Sequence, residues 1–183
     1  MADVSALIGW VLLEVNIRDY PREALEEFVE YYSPEGVAAI PQKGGHSYVA
    51  MLGEELLACG SVVPVESHPD EAMIQALFVR PDWEGKGVGR QLVQTLEADP
   101  MFRAARRVIV SASLTSHEFY LKLGYRYENN VKVCEDHDHY WMEKFNRHKR
   151  ARLRRQAEGG LFDCFNIDQG SKEITCLFVS TTA

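Results

Sequence analysis

The stretch Ile74-Gln75-Ala76-Leu77-Phe78-Val79-Arg80-Pro81-Asp82-Trp83-Glu84-Gly85-Lys86-Gly87-Val88-Gly89-Arg90 joins an apolar run to a helical pattern through a turn with three alternating glycines. Glycine allows positive φ and close backbone approach, so consecutive N–H groups in such a turn can converge on one ligand. The helix that follows adds partial positive charge at its start, and the two together favour a phosphate or pyrophosphate. Lys86 and Arg90 add mobile cations. Taken alone, a glycine-rich turn is weak evidence, because such turns also serve as plain helix starts. A Walker loop is excluded, since Gly85-Lys86 is followed by Gly87 rather than Ser or Thr. A dinucleotide fingerprint is excluded too, because the turn does not follow the first strand of a parallel unit.

Upstream, Gly53-Glu54-Glu55 separates the apolar runs His46 to Leu52 and Leu56 to Val63, which predicts a hairpin, and Met73 to Val79 should pair next. Val11 to Ile17 alternates like a strand. Pro21 then opens a helix with Ala24, Leu25, Phe28, Val29 and Tyr32 on one face, and a second short helix follows Pro34. Downstream of the turn, a helix through Leu92, Val93 and Leu96 stops near Asp99-Pro100. Arg107 to Ser111 is a strand, and Ser116 to Leu123 is a short helix ended by Gly124. Tyr125 to Val133 and Tyr140 to Phe145 are read as two closing strands around Glu135-Asp136-His137-Asp138-His139. The expected fold class is therefore α/β (α+β), with a mixed, mostly antiparallel sheet flanked by helices.

Residues 1–145 carry this rhythm, and residues 146–183 form an accessory extension. Asn146 to Ala157 has good helix formers, and Leu161 to Ile167 with Glu173 to Ser180 looks like a hairpin. A lone hairpin is marginal in water, so it should dock on the domain or on a second copy in a homodimer. With 183 residues, 46% of them hydrophobic, the chain can bury a proper core. Its N-terminal apolar run, Ala6 to Leu13, is too short to span a bilayer and lacks a basic flank, so a cytoplasmic protein without a membrane role is expected. Cys59, Cys134, Cys164 and Cys176 are scattered, which suggests reduced thiols and no zinc site.

Around the turn the chain resembles the acetyl-CoA loop of the GCN5-related N-acetyltransferase (GNAT) superfamily. Gly87 and Gly89 fall on its Gly-x-Gly positions, with the common Val-x-Pro lead-in at Val79 and Pro81. About thirty residues on, Ser113 to Tyr125 looks like the superfamily's second motif. The resemblance implies acetyl-CoA as co-substrate, with Phe78 and Val79 beside the pantetheine arm and Gly85, Lys86, Gly87, Val88, Gly89 and Arg90 around the pyrophosphate. It implies Tyr120 as the general acid toward the coenzyme A sulfur. Glu84 departs from the pattern, standing where the family has Arg or Gln. A carboxylate there should turn to solvent or pair with Lys86 or Arg90.

Acetyl transfer needs a neutral amine, a polarised thioester carbonyl and a proton for the leaving thiolate. The implied activity is an acetyl-CoA-dependent N-acetyltransferase acting on a primary amine, small molecule or peptide, by direct attack in a ternary complex. The rival reading is a non-catalytic acyl-CoA-binding or scaffolding protein on the same fold. Some family members carry a carboxylate where Gln75 stands, and Gln75 cannot accept a proton at neutral pH. Glu66, His68, Asp70, Glu71 and His117 are the nearby candidates for the base, with a water chain as an alternative. His137 and His139 could suggest a metal, but a solvated loop fits better. Arg147 to Arg155 holds six Lys or Arg. The net charge of −7 and the lack of interleaved aromatics argue against nucleic acid as partner.

Overall fold

The computed structural model describes residues 1–136, 138–146, 167–168 and 173–179. Three helices come first, α1 (Ala2–Glu14), α2 (Arg22–Tyr31) and α3 (Pro34–Gln42), followed by strands β1 (His46–Leu52), β2 (Glu55–Val65) and β3 (His68–Val79). Helices α4 (Val88–Ala98) and α5 (Pro100–Ala104) lead to β4 (Arg107–Ser113), and α6 (His117–Lys122) leads to β5 (Arg126–Tyr127), β6 (Cys134–Glu135) and β7 (His139–Phe145). Two further strands are described, β8 (Ile167–Asp168) and β9 (Glu173–Val179). The sheet runs β5-β7-β4-β3-β2-β1-β9-β8, with β6 also on β7. Among the described strands only β3 and β4 pair in parallel, as the α4–α5 crossover requires.

Helices cover both faces of the sheet. Leu92, Val93 and Leu96 of α4 pack with Ile74 of β3, Val110 of β4 and Met142 of β7. On the other face, Leu7, Ile8, Val11 and Leu12 of α1 pack with Leu25, Val37 and Cys59. This corrects the strand expected over Val11 to Ile17. The alternation of Val11, Leu13, Val15 and Ile17 competes with a helical spacing that begins upstream at Leu7 and Ile8, and the helix buries more. Asn16–Arg18 then forms a single 3-10 turn. The strand expected over Tyr125 to Val133 is likewise cut to Arg126–Tyr127, because Asn129 and Asn130 take positive φ (53° and 58°), a region Asn tolerates and a strand does not use.

Of the expected hairpin, the second strand, β9, docks on the domain. β9 pairs antiparallel with β1 from Ser47↔Val179 to Leu52↔Ile174, and Ile174 is fully buried. Of the partner strand, Ile167 and Asp168 are described; the helix expected over Asn146 to Ala157, with its basic run, lies outside the described residues, as does Cys164. Cys59 and Cys176 are buried, and burial pushes the Cys59 thiol up to about 12. No described helix is long and apolar enough to cross a membrane.

Burial also raises the phenols of Tyr32, Tyr48, Tyr120 and Tyr125 well above their ordinary value; the Asp99 carboxylate adds to the shift at Tyr48 and that of Glu97 at Tyr125. A group whose folded pKa is raised stabilises the fold fully below its unfolded pKa, and that stability is lost as pH rises toward the folded one. The melting temperature should therefore hold through neutral pH and fall steeply above pH about 10. A calorimetric pH series checks this, and a flat alkaline limb would refute it.

Candidate active site

The site begins where β3 leaves β4. Their parallel register runs from Glu71↔Arg107 to Ile74↔Val110 and no further, although β3 continues to Val79 and β4 to Ser113. At Ala76 the backbone takes φ 53°, and the β2–β3 register slips between Cys59 and Ser61. Such a bulge re-aims the side chains that follow it. Ala72 and Ile74 face α4, and after the bulge Leu77 and Val79 face that side again, while Phe78 packs with the α1 layer.

Beyond Val79 the glycine turn is held from below. Arg80 donates to Asp82 (2.7 and 2.9 Å) and to Glu55, and its guanidinium lies 5.2 Å from the Trp10 ring centroid. Gly85 and Gly87 take φ of 73° and 87°, and Gly87 is the N-cap of α4. No side chain caps that end and no acid stands in its first turn, so its N–H groups stay available to an anion. Gly89 is closely packed: a Cβ there would come within 3.2 Å of Val79 Cγ2 and 3.4 Å of Phe119 Cζ, and those side chains would have to give way. The turn thus packs against α6 with its backbone bare.

A cavity of about 400 Å³ opens at this point, lined by Phe78, Val79, Gly85, Gly87, Val88, Gly89 and Arg90 among others. Seven of the eight residues expected around coenzyme A are thus brought together. Lys86 is the exception, with its Nζ 4.7 Å above the Trp83 ring centroid. Lys122 of α6 lines the cavity instead, a cation whose distance in sequence hid it. Glu84 is exposed at the rim and makes no ion pair among the described residues, so of the two expected outcomes it takes the solvent one.

A second cavity, of about 380 Å³, meets the first at Leu77, Phe78 and Ser116. Tyr120 of α6 lines it, 3% exposed, with its ring edge-on to Phe119 and Tyr125. Its hydroxyl makes no hydrogen bond among the described residues, and burial, with Tyr32 nearby, keeps the phenol protonated. Gln75 lines this cavity as well.

The base candidates drawn from sequence lie elsewhere. Asp70 and Glu71 are bound to Arg106 and Arg107, His68 bonds Ser67, and His117 bonds the Tyr127 hydroxyl at 2.9 Å. The ionisable pair that does line the cavity is Asp138 with His139, joined carboxylate to Nδ1. Tyr20 holds it, donating to the Asp138 carbonyl and accepting the Leu114 N–H at 2.8 Å. Burial raises the Tyr20 phenol, partly offset by that N–H. His137 lies outside the described residues. Among the described residues no group of three His, Cys, Asp or Glu could hold a metal ion.

This architecture is shared with solved acetyltransferases. A GCN5-related N-acetyltransferase of Rhodopseudomonas palustris is 25% identical, with a TM-score of 0.62 over 79% of this chain and 88% of its own. The PaiA N-acetyltransferase of Thermoplasma acidophilum, solved with coenzyme A, is 16% identical, with a TM-score of 0.63 over 78% of this chain and 90% of its own. An acetyltransferase of Thermus thermophilus is 18% identical, with a TM-score of 0.57 over 79% and 92%. No curated relative matches by sequence. The model of the acetyltransferase (GNAT) domain matches residues 16–145. A splayed β3–β4 pair, an uncapped glycine turn and a family match over most of the chain agree, and this protein belongs to the GNAT acetyltransferase family.

Proposed function

We propose that this acetyltransferase uses acetyl-CoA and transfers the acetyl group to a primary amine by direct attack in a ternary complex. The observation that carries the reading is the meeting of the two cavities at Leu77, Phe78 and Ser116, with Tyr120 beside the junction. The first cavity fits a long, diphosphate-bearing thioester: bare N–H groups at the start of α4, Arg90 and Lys122 at the polar end, and the free edge of β3 along its length. The second is open to an acceptor. In this reading residues 1–145 are the catalytic unit, and β9 of the extension covers the β1 edge.

The roles follow from the chemistry. Gly85 to Arg90 hold the diphosphate, and Phe78 and Val79 flank the arm that carries the acetyl group. The amine nitrogen bonds to the acetyl carbon, the carbon–sulfur bond breaks, and Tyr120 supplies a proton to the departing sulfur. Burial that raises the phenol also penalises a free thiolate in the same place, so a neutral phenol is a fitting donor. Thiol release from acetyl-CoA with a panel of primary amines tests the reading. Failure of the protein to bind acetyl-CoA, or binding with no amine-dependent release, would refute it.

One observation favours the rival, non-catalytic reading: Glu84, unpaired at the rim where its charge opposes a diphosphate. Backbone N–H groups carry most of the binding in either case, so Glu84 tunes affinity. Glu84→Arg should tighten coenzyme A binding several-fold at low ionic strength, with the gain shrinking as salt is added. Calorimetric titration at two salt concentrations checks it. An unchanged dissociation constant means that Glu84 does not sense the diphosphate.

A further inference from the structure

The acceptor cavity has two unlike ends. Phe28 and Tyr31 of α2, with Tyr32, form an aromatic rim, and Tyr31 is 62% exposed, a large apolar surface left open to solvent. Ser111, Ser113, Asp138 and His139 form the polar end. Strand register explains how residues so far apart meet: Ser113 faces His139 and Ser111 faces Trp141 across the β4–β7 ladder, so the serines and the histidine share a side of the sheet. Trp141 stands edge-on to the imidazole at 5.2 Å and fixes its plane.

A single hydrogen bond selects the tautomer of the neutral imidazole. A carboxylate only accepts, so Nδ1 carries the hydrogen toward Asp138 and Nε2 presents its lone pair. That Nε2 is buried and has no hydrogen-bond partner among the described residues. An unpartnered buried acceptor costs on the order of 1–3 kcal/mol, a cost that a docking N–H donor removes. Tyr20 locks the neighbouring backbone at Asp138, so the pair is held in place before a ligand arrives. Among the described residues lining the cavity, Asp138 is the one carboxylate, and no Lys or Arg is present. Such a lining suits one ammonium group and supplies no Lys or Arg to pair with a substrate carboxylate.

We propose that the Asp138–His139 end receives the acceptor nitrogen, that His139 takes its proton, and that the acceptor is a primary monoamine on an aromatic or apolar body. The proposal rests on the N-acetyltransferase reading above. The ammonium gives one proton to His139 Nε2, and the neutral nitrogen then forms the bond to the acetyl carbon. Tyr120 protonates the sulfur as the carbon–sulfur bond breaks, and the second nitrogen proton restores the phenol. His139 releases its proton to solvent, so the sum is amide, thiol and one proton. Asp138 is a positioning residue that holds the tautomer.

The test uses the full chain with acetyl-CoA and three amines: 2-phenylethylamine, phenylalanine, which adds a carboxylate, and putrescine, which adds a second ammonium. kcat/KM should be at least tenfold higher for 2-phenylethylamine than for the other two, and preference for either of them overturns the acceptor class. Among the described residues, the titratable groups around the imidazole are Asp138, Tyr20 and Glu135, which is opposite His139 on β6. With His139 as base the bound ammonium form is itself productive, so kcat/KM stays level with pH just below the amine pKa. His139→Gln should lower kcat/KM about 100-fold at pH 7 and replace the plateau with a steady rise toward the amine pKa, since only amine already neutral then reacts. A plateau retained in His139→Gln overturns the base assignment. Binding of 2-phenylethylamine separates this proposal from the transfer reading: Asp138→Asn should weaken it at least fivefold with acetyl-CoA binding unchanged. Equal amine binding by that variant overturns the docking end, whatever the turnover. Amine binding without turnover by any amine refutes the transfer reading and the base assignment together, and leaves the docking end standing.

Discussion

Tyr120→Phe should lower kcat for amine acetylation by about 100-fold or more while leaving the acetyl-CoA dissociation constant within about twofold. The expected split between chemistry and binding follows from where the hydroxyl stands. The ring packs against Phe119 and Tyr125, contacts that Phe preserves, and the hydroxyl makes no hydrogen bond among the described residues, so its removal orphans no partner. The melting temperature should therefore change by no more than a degree or two. A phenol raised by burial stays protonated across the neutral range, ready to donate. Single-turnover thiol release measures the chemical step directly. A Tyr120→Phe enzyme with unchanged kcat would remove the residue from the reaction and leave water as the source of the sulfur's proton.

How much of this site was legible depends on whether a residue's job is local or set by register. Gly85 and Gly87 were readable because positive φ is a local demand that few other residues meet, and Gly89 because a motif compresses its contact with Val79 and Phe119 into a spacing. The hairpin of β1 and β2 and the helix α4 were readable from period and punctuation alone. His139 was hidden. In sequence it closes a polar run that reads as a solvated loop, and it becomes part of a cavity only because β7 starts there and faces Ser113. Tyr20 was hidden similarly, since its partners are Leu114 and Asp138, both about a hundred residues away. Lys86 shows the reverse failure: its place in the turn is local, but its stacking on Trp83 is a side-chain choice the spacing does not encode. The Val11 to Ile17 strand failed because a seven-residue alternation is compatible with a helix whose buried positions start four residues earlier.

Arg107→Leu should destabilise the protein by about 3–5 kcal/mol, the cost of stranding buried carboxylates. Arg107 Nε donates to Glu143 at 2.7 Å, Nη1 to Glu71 at 3.1 Å, and Nη2 to Glu128. Glu143 is 3% exposed and Glu71 8%. Arg126 and Arg106 reach the same two acids, at 3.1 and 3.4 Å, but both are half exposed and each holds a single edge of its partner. Removing Arg107 therefore leaves two desolvated carboxylates under-compensated, whereas a leucine supplies packing but no donor. At roughly 2–4 °C per kcal/mol for a chain of this size, the melting temperature should fall by about 10 °C. Arg107→Lys should recover only part of the loss, because one ammonium cannot serve three carboxylates lying in different directions. Adding Glu143→Gln to Arg107→Leu should recover part of the loss by removing one of the two stranded charges, a non-additivity that a double-mutant cycle detects. The position of the cluster gives the prediction its reach. Glu71↔Arg107 is the first pair of the short parallel ladder, and Glu143 belongs to β7, so this one guanidinium ties three central strands together at the end opposite the splay. Strands that part at Ala76 to form the site need to be held elsewhere, and a melting temperature within two degrees of the wild type in Arg107→Leu would show that the apolar core alone does the holding.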